Sequence, residues 1–122
     1  IVAKMNIEEI QAYCNSLPGV TESVKWEDHL CFCIGEKMFA VTSLSGANTI
    51  SFKVADEEFA ALIEQENFIS APYLGRYKWV FMEDFTSIAD KKLKDYMRQS
   101  YDLIKSKLSA KMIKTINQQN NC

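Results

Sequence analysis

The side chains best able to do nucleophilic, acid–base or metal chemistry in this chain are one histidine and four cysteines. His29 lies in the run "EDHL" beside Glu27 and Asp28, the composition of a polar turn. A catalytic histidine needs a nucleophile and an orienting partner. No GxSxG, Cys–His signature or paired-carboxylate motif accompanies this one. Cys31 and Cys33 flank Phe32 in an alternating run, so both leave a strand on the same side and run parallel rather than converge on a disulfide. If Leu30, Phe32 and Ile34 face the helices, these two thiols are half-exposed on the other side of the sheet. No neighbouring cation in the sequence activates them. Cys14 and Cys122 stand apart, and neither CxxC nor HxxxH spacing builds a zinc site. With no Walker A and no GxGxxG, the residues point away from an enzyme. No metal and no cofactor are expected, and reduced thiols place the protein in the cytoplasm.

Binding chemistry has a stronger candidate, the stretch "APYLGRYKWVF" over residues 71–81. Aromatic and basic residues interleaved in this way suit a nucleic-acid surface. They equally suit a strand whose rings enter a core while its cations stay in water. Trp79 and Phe81 alternate with Lys78 and Val80, so both rings are expected under the helices, with Arg76 and Lys78 exposed. Lys37 at the "GEK" turn and Lys53 near the end of "ISFKV" are close to hairpin ends. Lys37, Lys53, Arg76 and Lys78 are therefore the candidate nucleic-acid patch, against the plain alternative of four unrelated surface charges. Trp26, Tyr73 and Trp79 form a candidate aromatic cluster for a small molecule. A second basic set, Lys91, Lys94, Arg98 and Lys105, follows one side of the last helix, where such residues also serve simply as helix formers on a solvated face.

What must position these residues is a single domain. The chain has 122 residues, 48% of them hydrophobic, enough for one core. No run of about 18 apolar residues exists to span a membrane, and the first residues lack a signal-peptide pattern. Met5, just before a helix-start signal, is a candidate native start. The net charge of −2 divides unevenly: −7 over residues 1–85 and +5 over residues 86–122. That balance excludes a uniformly basic nucleic-acid binder and leaves a polarised surface.

Asn6 and Glu9 resemble a capping box, and Ile7, Ile10, Cys14 and Leu17 recur at helical spacing, predicting a helix over 7–17 that "LPGV" ends. "ESVKWE", "LCFCI", "KMFAVTSL" and "TISFKV" then alternate between turn formers, predicting antiparallel strands with Gly35 at a tight bend. Asp56 is expected to cap a helix to about Gln65. "FISAPYL" and "KWVFM" read as two more strands or extended segments, the first at an edge or in a turn because of Pro72. A long helix is expected from Ser87 to about Leu108, and the polar residues 109–122 read as a flexible tail. The predicted domain covers 5–108. Its order is α-β(3-4)-α-β(2)-α, a two-layer α+β fold with an antiparallel sheet and helices on one face.

The stretches "LPGVTESVKWEDHLCFCIGEKMFAVTSL", "ISFKV", "APYLGRYKWVF" and "SYDLIKSKL" resemble the MmcQ/YjbR family of small bacterial proteins. They span about Leu17 to Leu108, with the "GEKMFA" turn, the "APYLGR" segment and its following Trp79, and the "SYDLI" helix as a specific combination. The resemblance implies the same α-β(3)-α-β(2)-α order, compared with type III secretion chaperones and frataxin-like proteins. It also brings a DNA-binding label attached to a double-wing motif, a label that rests on fold comparison. In one departure, many relatives carry histidine immediately before the tryptophan, where this chain has Lys78. The expected role is a monomeric, non-enzymatic binder of DNA, weak and non-specific. The alternatives are a protein-interaction or chaperone-like module and a small-molecule binder.

Overall fold

A computed structural model describes residues 6–72 and 74–119. Met5, Tyr73 of the aromatic cluster and Cys122 lie outside the described residues. The elements are α1 (Ile7–Ser16), β1 (Val20–Lys25), β2 (His29–Ile34), β3 (Lys37–Ser43), β4 (Ile50–Lys53), α2 (Asp56–Ile63), β5 (Phe68–Ser70), β6 (Trp79–Met82), α3 (Asp90–Lys105) and α4 (Ala110–Gln119). All strand pairs are antiparallel, in one open sheet of order β1-β2-β3-β4-β6-β5. The α+β architecture is thus the expected one, and no described helix is long and apolar enough to cross a membrane.

Local chemistry explains most boundaries. Asn6 caps α1 by accepting from the Glu9 amide at 2.8 Å. Pro18 and Gly19, the latter at φ 76°, turn the chain into β1. Ile34 pairs with Lys37 across a two-residue turn in which Gly35 and Glu36 both have positive φ, 56° and 70°, as a right-twisted hairpin requires.

The core lies between the sheet and the helices. It joins Ile10 and Cys14 of α1 and Leu93, Met97, Tyr101 and Ile104 of α3 to Phe32, Phe39, Phe52, Val80 and Met82 of the sheet. A bulge in β3 at Phe39, between the Cys33–Met38 and Phe32–Ala40 pairs, keeps both Phe39 and Ala40 in this core while Met38 faces away. Ser100, fully buried on α3, fastens the bulge. Its hydroxyl donates to the Phe39 carbonyl at 2.6 Å and accepts from the Lys53 amide at 3.0 Å.

Four expectations need correction. Asp56 does not cap α2: Ala55 holds that position without a side-chain bond, and Asp56 acts through its charge in the first turn. The long helix begins at Asp90, because Asp84 caps a separate 3-10 turn at Phe85–Ser87 first. The tail is helical over Ala110–Gln119. Met112, Ile113 and Ile116 give it a short apolar stripe, and Ile116 is buried. Gly19 and Gly35 admit the approach, since a Cβ on Gly19 would stand 2.8 Å from Ile116 and one on Gly35 2.7 Å from Leu108.

The last correction concerns β6. Phe52 pairs with Val80 and Ser51 with Phe81, so Val80 and Met82 enter the core and Trp79 and Phe81 take the opposite face of the sheet. Trp79 is buried all the same, at 5% exposure, while Phe81 is half-buried.

Candidate binding surface on the open sheet face

Opposite the helices, the register places Cys31, Cys33, Met38, Val41, Ser51, Lys53, Trp79 and Phe81 on one face. One concavity lies on it, and a second wraps the strand ends beside it and reaches the C-terminal end of α3. The first is a cavity of about 590 Å³ with Met38, Val41 and Ser51 on its floor. Trp26 and His29 line one side, and Ala71, Pro72 and Leu74, from the segment joining β5 to β6, line another. The second is a cleft of about 340 Å³ lined by Lys37, Lys53, Lys107, Tyr77, Trp79 and Ile104, and Met38 belongs to both. Along β4 the step from one to the other is the step from Ser51 to Lys53, two residues apart on one face.

The cations come from separate elements. Lys37 opens β3, Lys53 ends β4, and Lys107 follows α3 in the turn to α4. Lys53 reaches the Tyr77 carbonyl and donates to it through Nζ. Partial burial lowers the Lys53 pKa from its ordinary value, the positive charges of Lys107 and Lys78 lower it further, and Asp56 opposes them. Lys78 is in the left-handed region at φ 66° and half-buried, with its ammonium 5.1 Å from the centre of the Phe59 ring. Full exposure was expected for it; the left-handed turn folds its side chain back onto α2. Of the four patch residues, Lys37, Lys53 and Lys78 come within electrostatic reach of one cleft. Arg76 instead lies exposed over the Tyr77 ring at 4.8 Å and does not line it.

Lys107 escaped the sequence reading because nothing local ties it to β4. The second basic set behaves as a solvated helix face. Lys94 lies over Tyr13 at 5.7 Å, Arg98 over Tyr101 at 5.8 Å with Asp102 at 3.3 Å, and Lys105 over Tyr101 at 5.6 Å. Lys91 is exposed.

Trp26 and Glu27 form the β1–β2 turn, both in the left-handed region, at φ 51° and 71°. That conformation is costly for a bulky side chain. It leaves Trp26 64% exposed, edge-on to His29 with ring centres 5.9 Å apart. His29 is not in the turn as expected but opens β2, opposite Ser43. Its Nδ1 sits 2.8 Å from Asp28 Oδ1 yet outside hydrogen-bonding geometry. The aromatic cluster is divided: Trp26 lines the cavity and Trp79 the cleft.

The thiols differ from expectation too. Cys31 and Cys33 are buried rather than half-exposed, at 0% and 8% exposure, flanked across the strands by Val41 and Met38. Burial raises both pKa values, with Lys25 opposing. Cys14, inside the core, is pushed up to about 12 by burial. Among the described residues no group of three His, Cys, Asp or Glu side chains is placed to hold a metal ion.

No curated protein sequence matches the chain. Among the solved structures that share its fold are the following two. Protein DR2400 of Deinococcus radiodurans, described as a DUF419 domain, is 21% identical with a TM-score of 0.82, over 92% of this chain and 88% of that one. A Pseudomonas syringae protein is 16% identical with a TM-score of 0.67, over 81% of this chain and 98% of that one. At these identities the likeness carries the fold alone. The family model for YjbR matches residues 15–103, from the end of α1 through most of α3, and the chain belongs to the YjbR family.

Proposed function

We propose that this is a non-enzymatic, cytoplasmic binding protein whose lysine cleft takes the phosphate backbone of a nucleic-acid strand, weakly and without sequence specificity. The observation that carries the reading is the convergence of Lys37, Lys53 and Lys107, with Lys78 in electrostatic reach, on a chain of net charge −2. Partial burial is the main cause that lowers the Lys53 pKa, and the positive charges of Lys107 and Lys78 add to it; like charges gathered at one point repel, and a bound polyanion relieves that repulsion. Tyr77, 51% exposed at the rim of the cleft, offers a ring for a base to stack on. The free thiols Cys14, Cys31 and Cys33 fit a reducing compartment.

The test is a fluorescence-anisotropy titration with labelled single-stranded and duplex DNA at about 50 and about 200 mM salt. Four phosphate contacts give a log–log salt slope of roughly −3 to −4. Replacing Lys37, Lys53, Lys78 and Lys107 together by glutamine abolishes binding and leaves the fold intact. Absence of binding at the lower salt removes the nucleic-acid reading.

A further inference from the structure

We propose that the cavity on the open sheet face binds a small amphipathic anion, its apolar body over Met38 and Val41 and its carboxylate, sulfonate or phosphate head among Lys37, Lys53 and Lys107. The head-group half of this rests on the same lysine cluster as the nucleic-acid reading; the apolar half is independent of it. The cavity's volume of about 590 Å³ falls inside the range of small-molecule sites, and like them it is mainly apolar with a few polar groups, here His29 and Ser51.

Two further observations support a ligand here. The side of the cavity formed by Trp26 is held in a strained left-handed turn that leaves a large ring in solvent, an arrangement that costs stability and exposes apolar surface. The cavity and the cationic cleft meet at Met38, and the floor residue Ser51 is succeeded on the same face by Lys53. An apolar body seated in the cavity therefore has cations at one end. A neutral apolar molecule would leave them unused, and a bare anion would leave the cavity unfilled. Occupancy also brings a second anion to the lysines, so the small molecule and a nucleic-acid strand compete.

Isothermal titration of the intact chain tests this with three probes: naphthaleneacetate, its neutral amide, and acetate. The acid binds saturably with one site, the amide roughly tenfold or more weakly for want of the charged contact, and acetate not measurably. Val41→Trp fills the floor and abolishes binding of the acid, with its fold checked by circular dichroism; Ser51→Phe is the second filling variant should the first not fold. The triple variant Lys37→Gln/Lys53→Gln/Lys107→Gln brings the acid down to the affinity of the amide. DNA titration of the filled variant separates the two proposals, because its lysines are untouched. Saturable binding of the acid lost on filling supports the small-molecule site; DNA binding retained in the filled variant then supports the nucleic-acid reading beside it, and DNA binding absent throughout leaves the small-molecule site alone. No saturable binding of the acid, equal affinity for acid and amide, or binding unchanged in a folded filled variant overturns it.

Discussion

Replacing Ser100 by alanine tests how the open face is held in place. The Ser100 hydroxyl bridges α3 to two strands at once, taking the Lys53 amide and giving to the Phe39 carbonyl, and the residue is fully buried. Water does not reach the site to replace it. Each backbone group left without its partner costs about 1–3 kcal/mol. Alanine returns about 0.5 kcal/mol as the better helix former, and the lost hydroxyl volume is too small for a large cavity cost. The net expectation is a loss of about 1.5–5.5 kcal/mol, in urea denaturation with an unchanged slope. Gln99→Ala, one residue away and exposed, is the control for helix propensity and stays within about 0.5 kcal/mol of wild type. The consequence reaches the site, because the bulge that Ser100 fastens is what turns Met38 to the open face. A Ser100→Ala variant within about 0.5 kcal/mol of wild type would refute the bridge as the fastening of the bulge.

The face assignment of β6 predicts an unusual ranking. Met82→Ala, emptying a fully buried core position, costs about 2–5 kcal/mol and more than Phe81→Ala, although phenylalanine is the larger side chain, because Phe81 is only half-buried. Trp79→Ala costs about 3–5 kcal/mol from the opposite side of the sheet; a Phe81 cost above that of Met82 in the same denaturation series would reverse the faces. The thiols are the third case. In a Cys122→Ser background at pH 8, Cys14, Cys31 and Cys33 stay protonated and covered, Cys14 with its pKa pushed up to about 12 by burial. Reaction with a chromogenic disulfide reagent then follows local opening rather than the rate of a free thiol, and rapid labelling of the folded protein would contradict the burial.

Much of this molecule is written in local pattern. The capped start at Asn6, the stop at Pro18 and Gly19, the Gly35 turn and the apolar stripe of α3 each follow from short-range chemistry, so element order and the antiparallel α+β class could be read directly. The α4 helix was legible as well, in Met112, Ile113 and Ile116, but the polar residues after Lys114 masked a stripe of only two turns. Other features depended on partners far away in the chain. In "WVFM" all four side chains are apolar, so period-2 alternation carries no contrast to say which pair faces the helices; pairing of Phe52 with Val80 decides it. For His29 the polar neighbours Glu27 and Asp28 suggested a turn, yet pairing with Lys25 and Ser43 makes it the first residue of a strand. The cationic cleft is the clearest instance. Lys37 and Lys53 could be picked out from their places near hairpin ends, but Lys107 has nothing in its surroundings to mark it, and Arg76, richer in local signal, lies over Tyr77 instead. Sequence determines which segments become strands and helices because that choice is made over a few residues. Which charges share a cleft is decided only when β3, β4 and the turn after α3 are brought together by the core on the far side of the sheet.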